Sequence, residues 1–229
     1  MDKSKIFITL ASVVGIIAFI IAAYYATNQQ KPVATYEQVK NIGNDENIKW
    51  SKAKKHILVE YSDLQCPACQ SFHNYLKSSI DKDKSITDNI TFVYRHFPLI
   101  VAHPFANDAA YAAEAAGMQG KFFEMIDLQF TNQKTWATAQ NPREIFRGYA
   151  DKLKLDLEKY DTDVASDKVK QRVSRDVQSG NEVGVSGTPS FFLNGNKVEV
   201  ASFEEFKQLL VETAKLPAPT SGPTVVPSK

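Results

Sequence analysis

Two cysteines are all that the 229 residues contain, so no framework of structural disulfides can hold this chain together. An excess of one charge is also missing. There are 27 Lys and Arg against 26 Asp and Glu, a formal net charge of +1. The basic residues are scattered rather than gathered into a stripe, a pattern that offers nothing to nucleic acid. There is no Gly-rich phosphate loop, no Ser–His–Asp arrangement and no internal repeat. With 10 Gly, 10 Pro and 43% hydrophobic residues, the composition is that of an ordinary globular protein. The length suits one large domain or two small ones.

Long apolar runs are missing too, with one exception at the N-terminus. Residues 6–26 carry no charge and, at about 1.5 Å per residue, would reach roughly 31 Å, enough to cross a bilayer core. A secretory signal has a shorter apolar region and a small-x-small cleavage site. This run ends Ala22-Ala23-Tyr24-Tyr25-Ala26 and has no clean site of that kind. Tyr24 and Tyr25 stand where interfacial aromatics belong. Lys3 and Lys5 precede the run and favour a cytoplasmic N-terminus, with Asp2 as a counterweight. Residues 1–27 therefore read as an uncleaved signal anchor, a single transmembrane helix, with a cleaved signal peptide as the alternative. Either way the rest of the chain is exported, on the extracytoplasmic side of the cell membrane, where a disulfide can persist.

Residues 28–47 are polar, with Pro32 and Gly43, and read as a linker. Short apolar runs at 48–50, 56–61 and 90–95 read as strands. Between the last two, a helix carries Cys69, Phe72, His73 and Leu76 on one face and ends near Ile80. A helical block follows. Pro104 suits a first helical position, and Ala109, Ala112, Ala113 and Ala116 make a close-packing face before Gly117 and Gly120. Further helices are expected over 121–130, from Pro142, and over 163–178 with Asp163 at the positive end. Strands return at 190–193 and 197–200 around Asn194-Gly195, a hairpin signal. Ser202 and Glu205 form a capping box for a last helix. Residues 217–229, rich in proline, read as a disordered tail.

The two cysteines lie three apart, Cys66-Pro67-Ala68-Cys69, at the junction of the strand at 56–61 and its helix. Thiol–disulfide exchange needs an attacking thiolate and a resolving thiol within reach. Two intervening residues put both sulfurs on the first helical turn. Pro67 fits the first helical position, whose N–H would be unpaired anyway. Cys66 faces the positive end of the helix dipole and free backbone N–H groups. Together these favour the thiolate strongly enough to keep Cys66 largely ionised at neutral pH. His56, His73, His96 and His103 leave a zinc site with the two cysteines open as an alternative, but no second ligand pair has the usual spacing.

The order strand, active-site helix, strand, helical block, Thr-Pro, hairpin, helix resembles the thioredoxin fold with an α-helical insertion. In particular it resembles the DsbA-like thiol:disulfide oxidoreductases, in their membrane-anchored bacterial form. Four pieces carry the resemblance: Glu-Tyr-Ser-Asp-Leu-Gln-Cys-Pro-Ala-Cys at 60–69, Tyr-Arg-His-Phe-Pro-Leu at 94–99, Ala-Ala-Glu-Ala-Ala-Gly at 112–117, and Val-Ser-Gly-Thr-Pro-Ser-Phe at 185–191. The fold class expected is thus α/β, a thioredoxin domain over 48–216 with its insertion at about 99–183, behind an N-terminal transmembrane helix.

The resemblance implies roles. Cys66 and Cys69 form the redox-active disulfide. Glu60 is the buried acid that serves proton transfer to Cys69. Thr188 and Pro189 form a cis-proline loop beside the disulfide. Pro67 and Ala68 are the intervening dipeptide; strongly oxidising members carry a histidine where Ala68 stands, so a milder oxidant is expected here. Asp63 and Gln65 lie beside the centre, with binding and loop-capping both open. His103 matches a family histidine without a catalytic role. No bound cofactor is implied. The partners implied are exported protein thiols and an integral-membrane, quinone-linked reoxidant. The alternatives are the same chemistry run as a reductase or isomerase, and a non-catalytic metal- or protein-binding module of the same fold.

Overall fold

Five strands form one mixed sheet in the order β1-β3-β2-β4-β5: β1 (Asn47–Trp50), β2 (His56–Ser62), β3 (Ile90–His96), β4 (Ser190–Leu193) and β5 (Asn196–Val198). They belong to a computed structural model, which describes residues 15–20 and 36–219. The central pair β2 and β3 is parallel, whereas β1, β4 and β5 join antiparallel. Parallel central strands are covered on both faces and so read as near-continuous apolar runs. Leu58, Phe92 and Tyr94 face the larger core, while Val59, Tyr61 and Val93 face the smaller one.

Helix α1 (Pro67–Tyr75), prolonged by one wide turn over Leu76–Ile80, buries Cys69, Phe72, Leu76 and Ile80 in the larger core. A short α2 (Lys84–Thr87) leads into β3. The helical insertion is α3 (Ala106–Gly117), α4 (Phe122–Thr131), α5 (Gln133–Trp136), α6 (Pro142–Lys152), α7 (Leu157–Ala165) and α8 (Asp167–Glu182). The alanine face of α3 is buried throughout. Helix α9 (Phe203–Lys215) closes the domain, its N-terminus capped by the Ser202 hydroxyl, which accepts from the Glu205 N–H. Asn194 and Gly195 both have positive φ, the conformation that a tight two-residue hairpin requires.

Three details differ from the sequence expectation. Pro104 is not the first residue of a helix; α3 begins at Ala106 because 99–105 is held as a loop by side chains from the cysteine segment. The helix expected over 163–178 is two helices. Asp163 lies in the last turn of α7, and Ser166 starts α8 by accepting from the Val169 N–H. Residues 36–47, expected to be linker, pack on the domain. Val39 is buried in the smaller core, Tyr36 stands edge-on to Phe192, and the Tyr36 N–H bonds the Gly195 carbonyl.

The chain divides into two units, Met1–Val33 and Ala34–Lys229. In the first, residues 15–20 are helical, with Ile16, Ile17, Phe19 and Ile20 exposed. Among the described residues no helix is long and apolar enough to cross a membrane. The rest of the expected span over 6–26, and the expected tail beyond residue 219, lie outside the described residues.

Candidate active site

The strand order sets the site. β2 ends at Ser62, a short loop crosses to Cys66, and α1 starts at once with Pro67 as its first residue. Cys66 is the N-cap residue in extended conformation, so its side chain sits at the positive end of the helix. Cys66 is buried apart from a small exposed patch and Cys69 is fully buried; both are free thiols. Pro67 and Ala68 are exposed between them.

The two sulfurs are electrostatically unequal. A hydrogen bond from the Cys69 side chain pulls the Cys66 thiol down to about 5 against the penalty of burial, helped by backbone N–H groups of Cys69 and Ala68 and by the Thr188 side chain. Burial pushes the Cys69 thiol well up, and the Cys66 and Glu60 charges push the same way. The pair therefore shares one proton, which resides on Cys69. By this ordering Cys66 is the sulfur that ionises first and Cys69 the one that keeps its proton.

Thr188 and Pro189 lie across from Cys66. Their peptide bond is cis, and the Thr188 carbonyl is 3.4 Å from Cys66 Sγ. Beside Pro189 runs an apolar groove of about 400 Å³, floored by Phe72, Phe191 and Phe206 and edged by Val200 and Phe203.

Glu60 lies inside the larger-core face of β2, only 4% exposed. Burial raises its carboxyl to about 8, opposed by the nearby Ser62 hydroxyl and the charge of Lys49. Its charge acts on Cys69. The structure thus brings Glu60, Cys66, Cys69, Thr188 and Pro189 together in one place.

Several residues that fix the cysteine loop gave little or no sequence signal. Asp63 is a buried hub. Its N–H points at Cys69 Sγ at 3.5 Å. Its carboxylate accepts from the Gln65 N–H at 2.7 Å and the Leu99 N–H at 2.8 Å, and lies 2.7 Å from His103 Nδ1. Gln65 in turn accepts from the Phe105 N–H. Of the two readings left open for Asp63 and Gln65, the structure has loop capping. On the other side Gln133 of α5 donates to the Leu64 and Cys66 carbonyls at 2.8 and 3.0 Å. No local pattern marks Gln133; only the fold brings it there. The histidines go elsewhere: His56 to Asn194 and the Leu216 carbonyl, His73 to Asp127, His96 to Glu114, His103 to Asp63. Among the described residues no group of three His, Cys, Asp or Glu is placed to hold a metal ion.

A family model described as thioredoxin matches residues 50–212. The chain belongs to the thioredoxin family. Its fold is that of the DsbA-like thiol–disulfide oxidoreductases. A thioredoxin-like oxidoreductase from Silicibacter pomeroyi DSS-3 superposes with a TM-score of 0.63 at 22% identity, covering 80% of this chain and 98% of that one. BdbD from Bacillus subtilis does so at 0.61 and 18%, covering 81% and 100%. The DsbA1 protein of Wolbachia pipientis does so at 0.64 and 18%, covering 79% and 96%. Closer in sequence is a segment of proteins of another name. The Na+/H+ antiporter NhaA 1 of Salinispora arenicola is 39% identical over 142 residues, which is 61% of this chain and 20% of the antiporter. The NhaA antiporter of Herminiimonas arsenicoxydans is 35% identical over 153 residues, 67% of this chain and 23% of that protein. The chain thus spans about a fifth of the length of these curated relatives.

Proposed function

We propose that this protein is an extracytoplasmic, membrane-tethered thiol:disulfide oxidoreductase that oxidises cysteine pairs in exported proteins. The observation that carries the reading is the split between the sulfurs, with Cys66 low and Cys69 high. A reduced form stabilised as a thiolate makes the disulfide the more oxidising partner.

In the oxidised protein a substrate thiolate attacks Cys66 Sγ. The Cys66–Cys69 bond breaks, and Cys69 leaves with the electron pair and takes the proton of Glu60. The second substrate thiolate then attacks the substrate sulfur of the mixed disulfide and releases Cys66, which remains a thiolate at neutral pH. Two substrate thiols become a disulfide and give up two protons, one of which returns to Glu60 while the other goes to solvent, and the protein disulfide is reduced. The groove beside Pro189 would take an apolar side chain of an extended substrate, whose backbone can pair along the Thr188 segment. Reoxidation reverses the electron flow and needs a disulfide-generating partner; a quinone-linked membrane protein fits a domain held at the bilayer. No bound cofactor takes part.

Support for the tether is the uncharged stretch over 6–26 and its exposed helical apolar residues at 15–20. The antiporter relatives carry a segment like this one within far longer chains, and ion exchange is no part of this reading. The test is equilibration of the full chain with glutathione, together with trapping of mixed disulfides in Cys69→Ala. A potential between about −120 and −270 mV is expected. A value at the thioredoxin end, about −270 mV, would make it a reductase and overturn the direction proposed.

A further inference from the structure

The proton step above uses Glu60, and the structure surrounds Glu60 with two hydroxyls that the exchange chemistry leaves unassigned. Ser62 and Tyr94 are buried, and neither Ser62 Oγ nor Tyr94 OH has a partner at hydrogen-bond geometry. Buried hydroxyls without partners are costly, so two of them side by side call for an explanation.

Their placement supplies one. Ser62 is two residues beyond Glu60 on β2 and therefore on the same face. Tyr94 is the register partner of Glu60 on β3. Its ring is fixed edge-on against His96 at 5.2 Å and Phe122 at 5.6 Å. The Ser62 hydroxyl faces both the Glu60 carboxyl and the Tyr94 phenol, lowering each. The charges of Glu60, Cys69 and Asp63 all reach Tyr94. The remaining charge near Glu60 is Lys49 of β1, which is held by Asp81 at 2.6 Å. Phe191, opposite Glu60 on β4, is uncharged.

We infer that Ser62 and Tyr94 are positioning residues for the proton step, a rotating hydroxyl pair that serves Glu60 in both of its states. When Glu60 is neutral, its O–H donates to Ser62 Oγ and the Ser62 O–H turns to the Tyr94 oxygen. When Glu60 has given its proton to Cys69, Ser62 turns its O–H to the carboxylate and accepts the O–H of Tyr94. One proton moves, between Cys69 Sγ and a Glu60 oxygen; the hydroxyls only rotate.

The inference rests on the exchange reading and deepens it, and one experiment separates the two. The full-length reduced protein is mixed with oxidised glutathione to load Cys66 as a mixed disulfide. Release of glutathione by Cys69 is then followed from pH 6 to 10. This step needs the Glu60 carboxylate as base, so the wild-type rate should rise to half its maximum near pH 8. Ser62→Ala and Tyr94→Phe each remove a hydroxyl that stabilises the carboxylate. Each should move the midpoint up by about one pH unit, slow release at pH 7 about tenfold, and rejoin the wild type near pH 10. Ser62→Thr, which keeps the hydroxyl, should restore the wild-type midpoint. An unmoved midpoint in both hydroxyl-deleted variants, with the pH dependence lost in Glu60→Gln, overturns this inference alone, whatever the absolute rates. A pH dependence that survives in Glu60→Gln removes Glu60 as the base and this inference with it.

Discussion

The sulfur of Cys66 stands 3.4 Å from the main-chain carbonyl of Thr188, and the Thr188 side chain also faces it. Thr188 thus meets the nucleophile twice, once through an atom that mutation cannot remove and once through one that it can. Thr188→Val keeps the shape and deletes the hydroxyl. The Cys66 thiol should then rise above its value of about 5, by less than the loss of all its partners would cause. Alkylation by iodoacetamide across pH 3–9 reads the midpoint. A midpoint equal to the wild type would mean that the hydroxyl does not act on the sulfur.

The low Cys66 value is also a statement about stability. Its folded, reduced value of about 5 lies below the ordinary thiol value of 9.0. The folded thiolate therefore contributes stability that is complete above about pH 9, shrinks as pH falls, and is gone below about pH 5. The oxidised protein has no such thiol. The reduced form should gain Tm relative to the oxidised form as pH rises from 5 to 9, and paired melting curves check it. A constant difference across that range would contradict the assigned value.

Glu60 has the opposite sign. Its folded value of about 8 is above the ordinary carboxyl value of 4.5, so the folded state holds a proton that the unfolded state has lost. Stability due to this group is greatest below pH 4.5 and falls as pH rises to about 8. Glu60→Gln removes the titration. The variant should be the more stable protein at pH 7 by on the order of 3 kcal/mol, with no advantage at pH 4, and should turn over more slowly. Urea melts of the oxidised forms at the two pH values separate the cases. A variant that is less stable at pH 7 would show that Glu60 is held as a paired carboxylate.

Much of this is legible in the amino-acid sequence. The strands over 56–61, 90–95 and 190–193 announce themselves because buried strands leave contiguous β-branched and aromatic runs. Cys66-Pro67-Ala68-Cys69 and Thr188-Pro189 are short motifs whose chemistry is local. What the sequence hides is non-local. Asp63 looks like a loop acid, and only the fold shows that it fastens the 99–105 loop and so displaces the start of α3 to Ala106. Arg95 and Arg172 carry no local signal, yet both are buried and share the Glu46 carboxylate, at 2.9 and 3.1 Å, and Arg172 also pairs with Asp176. That cluster draws 45–47 onto the domain and explains why the linker ends earlier than its polar composition suggests. Gly180, unremarkable in sequence, is where α8 meets the sheet: a Cβ there would stand 2.7 Å from the Phe97 ring. Each of these depends on which residue the topology delivers opposite it, a quantity that no window of sequence contains.

Gln133 is the strongest such case, because it links the insertion to the active-site loop. Its amide donates to the Leu64 and Cys66 carbonyls, the second of which also accepts the first hydrogen bond of α1, from the Gln70 N–H at 3.1 Å. Gln133→Leu preserves volume and takes this donor from the buried Leu64 carbonyl, at a cost of about 1–3 kcal/mol, while the Cys66 carbonyl keeps the Gln70 N–H. The loss should be nearly equal in the oxidised and reduced proteins, because the carbonyls rather than the sulfurs lose a partner. It should appear as a lower urea midpoint with an unchanged slope. A loss confined to one redox state would instead assign Gln133 to the sulfur chemistry. No loss at all would show that the loop is fixed by Asp63 and Gln65 alone.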